Sequence, residues 1–383
     1  MIARRTWLTV VGIYALARLV SVDLLIVAVQ RHLGTPVLAG PPFRLWHDAL
    51  VRWDAIHYAS IAAGGYPRTL PLSANGAVLA NPWAFFPAFP TMAAALAQTF
   101  GMSFEAAAIA INLVAGAIAA VLLARLVSTF ADENTTLRAV AIWAVFPTAF
   151  VLQVPYAEAI YLLFAAGFLV ALTSGRDVPA AWLLVGAGLS RGVLLPLVAA
   201  AAVRVIGQVV RQRAMTRPIA ALAASALVSP AAWIVVAGAA TGRMDAYAAT
   251  QRAWGFSSDL GVMAHGWAAL AAREGASLLL HPTVVTLILA IVLTAILCVR
   301  REIPLSIKVY GATAAALLVA LAQPGAVGFG SMPRFAFGVL TLPIALAIVL
   351  RRWWLLAPYL VLSTWLQYRW IADVWSGRLG IAP

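Results

Sequence analysis

One cysteine, Cys298, stands in 383 residues. A single thiol excludes an intramolecular disulfide and any cysteine-based metal centre, and it leaves the redox compartment unread. Histidine is nearly as scarce. The 5 in the chain are scattered, with no His-x-x-x-His or Asp-x-Asp spacing, so the sequence offers no metal-ligand set and calls for no cofactor. Charge is thin as well: charged residues make up 10% of the chain against 63% hydrophobic, and mean hydropathy is +0.94. A soluble domain with such a surface would aggregate. The net charge of +13 comes from arginines at the ends of apolar runs. It forms no basic stripe interleaved with aromatics, which argues against nucleic acid and for anionic lipid as the neighbour.

Long apolar runs fill the space left by these absences. They span Trp7–Gln30, Pro82–Phe100, Ser103–Val127, Leu137–Leu152, Tyr156–Thr173, Pro179–Val203 and Pro218–Ala240, then His281–Val299, Ile303–Ala322, Pro333–Leu350 and Trp353–Ile371. Each approaches the ~20 residues needed to cross a bilayer, so the expected fold is all-α, a polytopic transmembrane bundle of about 11 spans forming one domain over 1–383. The first run exceeds the apolar core of a cleavable signal peptide and follows Arg4-Arg5, so it is expected to be retained. Arginines at 204, 211, 213 and 217, at 300 and 301 with Lys308, and at 351 and 352 then fall on the cytoplasmic side. The same count puts loops 31–81 and 241–281 outside the membrane. Pro147 and Pro155 interrupt the stretch 139–173, which reads as two short spans or a broken pair.

Ionisable groups in so apolar a chain mark candidate sites. The loop 31–81 carries Arg52-Trp53-Asp54-Ala55-Ile56-His57-Tyr58 within Arg44–Ala63, a segment of helical periodicity expected to lie at the interface with Trp46, Trp53 and Tyr58 at headgroup level. On a helix Asp54, His57 and Tyr58 stand at i, i+3 and i+4, so carboxylate, imidazole and phenol share a face. Asp54 is either a general base or a group that caps the helix or pairs with Arg52. Asp48 lies off that face. Trp53 anchors the interface, and Phe85 and Phe86 either line a groove or face lipid. Glu158 and Arg191 lie in apolar runs and either pair with each other or leave Arg191 to hold a phosphate through its guanidinium fork. Arg334 is a second phosphate candidate. Arg18 and Asp23, on different faces of the first span, are expected to be structural. The loop 241–281 offers Asp245, Tyr247, Gln251, Arg252, Trp254, Asp259, His265 and Trp267.

Four ordered blocks carry a resemblance: Arg52-Trp53-Asp54-Ala55-x-His57-Tyr58, Phe85-Phe86-Pro87-x-x-Pro90, Pro155-Tyr156-x-Glu158 and Ser190-Arg191-Gly192. Together they resemble the family of the second mannosyltransferase of GPI-anchor assembly (PIG-V-like), whose bacterial members are multi-spanning GT-C glycosyltransferases. The resemblance implies transfer of a sugar, by likeness mannose, from a polyprenyl-phosphate donor to an extracytoplasmic glycolipid, glycan or protein acceptor. A β-linked donor and an α-linked product imply a single inverting displacement. In that scheme the membrane is the plasma (inner) membrane, loop 31–81 is the catalytic loop, loop 241–281 lies on the acceptor side, and Asp54 is the general base with His57 beside it. Arg52, Arg191 and Arg334 with Phe85 and Phe86 hold donor phosphate and lipid, and Trp53, Tyr58 and Glu158 meet substrate. Two other classes fit the composition. A lipid or solute transporter would use Arg18, Asp23, Glu158 and Arg191 as a path, although no inverted repeat is visible. A noncatalytic membrane scaffold would keep the fold alone.

Overall fold

The computed structural model describes residues 4–33, 50–257 and 259–376. The chain opens with α1 (Arg4–Leu33), then α2 (Asp54–Gly64), α3 (Ala88–Phe100), α4 (Phe104–Val127) and α5 (Glu133–Ala144). Next come α6 (Glu158–Thr173), α7 (Asp177–Ser190), α8 (Leu195–Gln212), α9 (Arg217–Thr241), α10 (Ala246–Ala253) and α11 (Leu260–Glu274). The last are α12 (Pro282–Cys298), α13 (Leu305–Leu321), α14 (Met332–Phe337), α15 (Thr341–Val349) and α16 (Trp353–Ser376). Among the described residues no strand forms beyond an isolated bridge between Leu72 and Val78. Helix starts carry the expected caps: Ser103 accepts from the Ala106 amide at 3.2 Å and Asp132 from the Thr135 amide at 2.8 Å.

Among the described residues four helical segments are long and apolar enough to cross a membrane: Thr6–Arg31, Phe104–Val127, Leu195–Gln212 and Arg217–Thr241. Leu260–Leu280 and Pro282–Cys298, bent by 60°, make a fifth if read as one broken span. Glu158–Thr173, Asp177–Ser190 and Leu305–Leu321 are apolar but shorter, and several of the expected runs are broken into pieces. The expected span Pro333–Leu350 is two helices, α14 and α15, parted at Gly338, and Leu137–Leu152 is α5 followed by a 3-10 turn over Ala149–Leu152. Of the expected interfacial segment Arg44–Ala63, Leu50 is helical and Asp54–Gly64 forms α2. The segment's first part, with Trp46 and Asp48, lies outside the described residues.

Pro147 explains the break after α5. A prolyl nitrogen cannot continue the helical ladder, so nearby carbonyls lose their partners in the buried interior, where each costs several kcal/mol if left bare. Side chains from distant helices supply donors. Arg18 of α1 reaches the carbonyls of Ala144 and Ala149, Ser363 that of Val145 at 2.7 Å, and Gln367 that of Phe146 at 2.9 Å. Gln367 is itself held by Ser21 at 2.6 Å. The partners of Arg18 are thus backbone carbonyls.

At the centre runs α6, buried over most of its length between α4 and α7, with α9 beyond α7. Small residues permit close helix approach in this bundle: a Cβ at Gly116 of α4 would collide with the Tyr14 hydroxyl of α1. Before α6, Asn112 of α4 donates to the carbonyls of Val154 and Tyr156, fixing the turn that delivers Glu158 as the first residue of α6.

Candidate active site

Asp54 is also the first residue of its helix, α2. The turn before it is strained: Trp53 adopts φ 55° and ψ −122°, a conformation that costs a non-glycine residue on the order of 1–3 kcal/mol. Strain of this kind persists only where surroundings impose it. Here the amides of Ala55 and Ile56 bond back to the carbonyls of Arg52 and Trp53 at 3.0 and 3.1 Å, while the Tyr156 hydroxyl donates to the Arg52 carbonyl at 3.4 Å. The kink sets Asp54 and Tyr58 on the cleft side.

Arg334, on the short helix α14, joins the two carboxylates. Its Nη2 lies 2.6 Å from Asp54 Oδ2, and its Nε donates to Glu158 Oε1. Arg191 donates to the same Glu158 oxygen from just past the end of α7, where a cation suits the helix dipole. The Arg334 guanidinium lies 4.4 Å from the centre of the Tyr156 ring. The side chains of Arg334 and Glu158 are each 3% exposed, Arg191 15% and Asp54 21%, so the carboxylate of Asp54 is the most open member.

These groups line two connected spaces. The first is an open cleft with a cavity of about 240 Å³, bordered by Asp54, Tyr58, Phe85, Phe86, Arg191, Gly192, Tyr247, Gln251, Trp254, Ser331 and Arg334. The second is a narrow apolar pocket, a cavity of about 40 Å³ between α6, α13 and α14, bordered by Glu158, Tyr161, Leu162, Tyr310, Leu317, Leu318 and Val339. Arg191, Val193, Leu317, Leu321, Arg334 and Phe335 border both, so the arginines stand where the polar cleft meets the apolar pocket. Gly192 leaves room at this junction, since a Cβ there would come within 3.1 Å of Phe86 and of the Tyr247 hydroxyl.

Aromatic packing fixes the opposite wall. His57 stacks on Phe85 at 4.6 Å and meets Trp254 edge-on at 5.3 Å, and Tyr58 is edge-on to Phe85 and Phe89. Burial between these rings pushes the His57 imidazole below its ordinary pKa, opposed in part by the charge of Asp54, so the ring is neutral near pH 7. Burial raises the Tyr58 phenol, with Asp54 adding to the effect, which keeps it a protonated donor. Tyr66, Trp83 and Trp233 form a neighbouring cluster, and Asn81 donates to Thr250 at 2.9 Å, tying the loop before α3 to α9 and α10.

The structure therefore gathers Asp54, Tyr58, Phe85, Phe86, Arg191 and Arg334 on one cleft, with Glu158 directly behind the arginines. Phe85 and Phe86 are 8% and 9% exposed and belong to the cleft wall. Arg52, Trp53 and His57 do not line either space: Arg52 and Trp53 precede the helix on the far side of the kink, and His57 is engaged by rings. Glu158 pairs with Arg191, as one reading of the sequence held, and with Arg334 as well. Sequence reasoning gave Tyr156 and Asn112 no role. Asn112 was a lone amide in an apolar helix and Tyr156 a letter in a motif, and those were the only signals. Among the described residues no group of three His, Cys, Asp or Glu side chains converges on a metal site.

No family model matches the sequence, and no curated protein matches it. Solved structures do share its fold. The oligosaccharyltransferase of Archaeoglobus fulgidus tethered to an acceptor peptide containing the NVT sequon superposes with a TM-score of 0.52 at 14% identity, covering 96% of this chain and 55% of that one. The same organism's oligosaccharyltransferase AglB, in complex with an inhibitory peptide and a dolichol-phosphate, gives a TM-score of 0.50 at 14% identity, covering 96% and 56%. Its complex with Zn and sulfate gives 0.50 at 15% identity, covering 95% and 53%. The chain thus has a GT-C-like helical fold and spans about half the length of these proteins.

Proposed function

We propose that the chain is a membrane glycosyltransferase that moves a sugar, mannose by sequence resemblance, from a polyprenyl-phosphate donor to an acceptor hydroxyl outside the membrane. One observation carries the reading. A partly exposed carboxylate, Asp54, faces a cleft whose two arginines stand at the mouth of an apolar pocket. A lipid-linked phosphate sugar has the same order of parts: an apolar tail on the side of the apolar pocket, an anion for Arg191 and Arg334, and a sugar in the cleft beside Asp54. The dolichol-phosphate bound by the archaeal protein of like fold is a ligand of that chemistry.

In this reading Asp54 accepts the proton of the attacking hydroxyl while that oxygen bonds to the sugar's anomeric carbon. The carbon–oxygen bond to phosphate breaks, and its electron pair leaves with the lipid phosphate. A positioned base contributes on the order of 10²–10⁴ in rate. Preorganised guanidiniums stabilise the growing phosphate charge without reorganising. Tyr58, Tyr247, Gln251 and Trp254 offer the mixture of phenols, amide and ring faces that orients hydroxylated substrates in the cleft. Single-domain organisation over 1–383, about 11 spans, an outward-facing active site and a plasma-membrane location complete the proposal.

Membranes carrying the wild-type chain, supplied with radiolabelled polyprenyl-phosphate mannose, should transfer label to an endogenous acceptor. Asp54→Asn should reduce transfer by about 10²-fold or more at equal expression. Transfer by Asp54→Asn at the wild-type rate would remove Asp54 as the base. Absence of transfer from any polyprenyl-phosphate sugar by the wild type would remove the donor class.

A further inference from the structure

Among the described residues four charged side chains meet here, Asp54, Glu158, Arg191 and Arg334, two carboxylates and two guanidiniums whose charges sum to zero. A site built to receive an anion is therefore already neutralised from within. Glu158 is the inner anchor: it is buried, it binds both arginines, and it takes the Nε edge of Arg334. Asp54 takes a different nitrogen, Nη2, and is the open side of the cluster. An anion arriving from the cleft meets Arg334 on the face that Asp54 holds.

We propose that Arg334 is a counter-ion shared by turns, held by Asp54 in the empty site and by the donor phosphate in the loaded one. This rests on the reading of the cleft as a glycosyltransferase site and adds a coupling to it. Phosphate and Asp54 compete for one guanidinium, so the arrival of donor loosens the Asp54–Arg334 pair and frees a carboxylate oxygen for the acceptor hydroxyl. Glu158 and the Tyr156 ring keep Arg334 in place during the exchange. The charges then balance through the step. As Asp54 takes the hydroxyl proton it loses one negative charge, and as the anomeric carbon–oxygen bond breaks, the leaving phosphate gains one. Negative charge passes from one side of Arg334 to the other, and the sum around the guanidinium stays constant.

The competition has a signature that a base acting alone does not. Removing the charge of Asp54 should strengthen anion binding while abolishing turnover, because linkage makes the two contacts mutually weakening. The purified full-length chain in detergent would be titrated calorimetrically with farnesyl phosphate, with farnesol and with inorganic phosphate. Asp54→Asn should bind farnesyl phosphate about tenfold tighter than wild type, the low end of what a neighbouring charge does to an ionic equilibrium. Asp54→Ala should shift affinity in the same direction, which guards against a fold defect in either variant, and melting curves would verify that both are folded. Farnesol should bind equally to all. A tenfold gain seen also with inorganic phosphate would place recognition in the headgroup and support the exchange. Unchanged or weaker farnesyl phosphate binding in folded Asp54→Asn, or an equal gain for farnesol, would overturn it. None of these readouts requires sugar transfer, so the exchange can fail while the glycosyltransferase reading stands, and the reverse also holds.

Discussion

Two arginines of this chain are buried to nearly the same extent, Arg18 at 4% and Arg334 at 3% exposed, and both lie near an aromatic ring. Their partners differ in kind. Arg18 spends its donors on the carbonyls of Ala144 and Ala149, which lie on either side of Pro147, so it repairs a break in the backbone. Arg334 is held between two carboxylates, one anchored and one open to a cleft. Burial of a charge is thus no guide to its role. A guanidinium on backbone dipoles completes a fold, whereas one on a carboxylate that faces space can exchange that carboxylate for a ligand.

Lysine at each position sharpens the contrast, since it keeps the charge and loses the fork. Arg334→Lys cannot reach Glu158 and Asp54 from two edges at once, so the leaving phosphate loses a preorganised donor. Its kcat for sugar transfer should fall by roughly 10²-fold or more, with a melting temperature close to wild type. For Arg18→Lys the expectation is reversed. One carbonyl at the break is left without a donor, costing about 1–3 kcal/mol of stability, while the protein that remains folded turns over at the wild-type kcat. Parallel melting curves and initial rates check both. Equal losses of kcat and stability at both positions would erase the distinction between the two arginines.

The same contrast marks what the sequence made readable. The spacing of Asp54, His57 and Tyr58 put three groups on one helix, and periodicity is local enough to be seen in a string. The glycine after Arg191 and the prolines around Phe86 were likewise visible as punctuation. Pairing of Asp54 with Arg334 was not, because a salt bridge between residues 280 positions apart is a property of how α2 and α14 pack and leaves no trace in either segment. How each apolar run is built was hidden for a related reason. Hydropathy reports composition, and a run such as 333–350 stays apolar whether one helix crosses or two short ones meet at Gly338. Pro147 announced a break, yet the donors that make the break tolerable come from α1 and α16, at opposite ends of the chain. His57 shows the limit of shared-face reasoning: its neighbour in sequence is Asp54, but its ring is claimed by Phe85 and Trp254.

The smallest expected effect tests that last assignment and concerns a charge the fold suppresses, in contrast to the two it keeps. Burial depresses the His57 pKa, so the folded protein prefers the neutral ring more strongly than the unfolded chain does. Above the unfolded value, near 6.5, both states are neutral and this contribution to stability is fully present. As pH falls through that value the unfolded chain takes up a proton that the folded chain resists, and stability declines until the lower folded pKa is passed. His57→Phe keeps a ring between Phe85 and Trp254 and removes the titration. Melting temperatures of the two proteins should therefore converge near pH 8 and separate in favour of the variant between pH 7 and pH 5, while the kcat at neutral pH changes far less than in Arg334→Lys. A gap that stays constant from pH 8 to pH 5 would show that the ring's protonation is not suppressed by its packing. A loss of turnover in His57→Phe as large as that of Arg334→Lys would return the imidazole to the chemistry of the cleft.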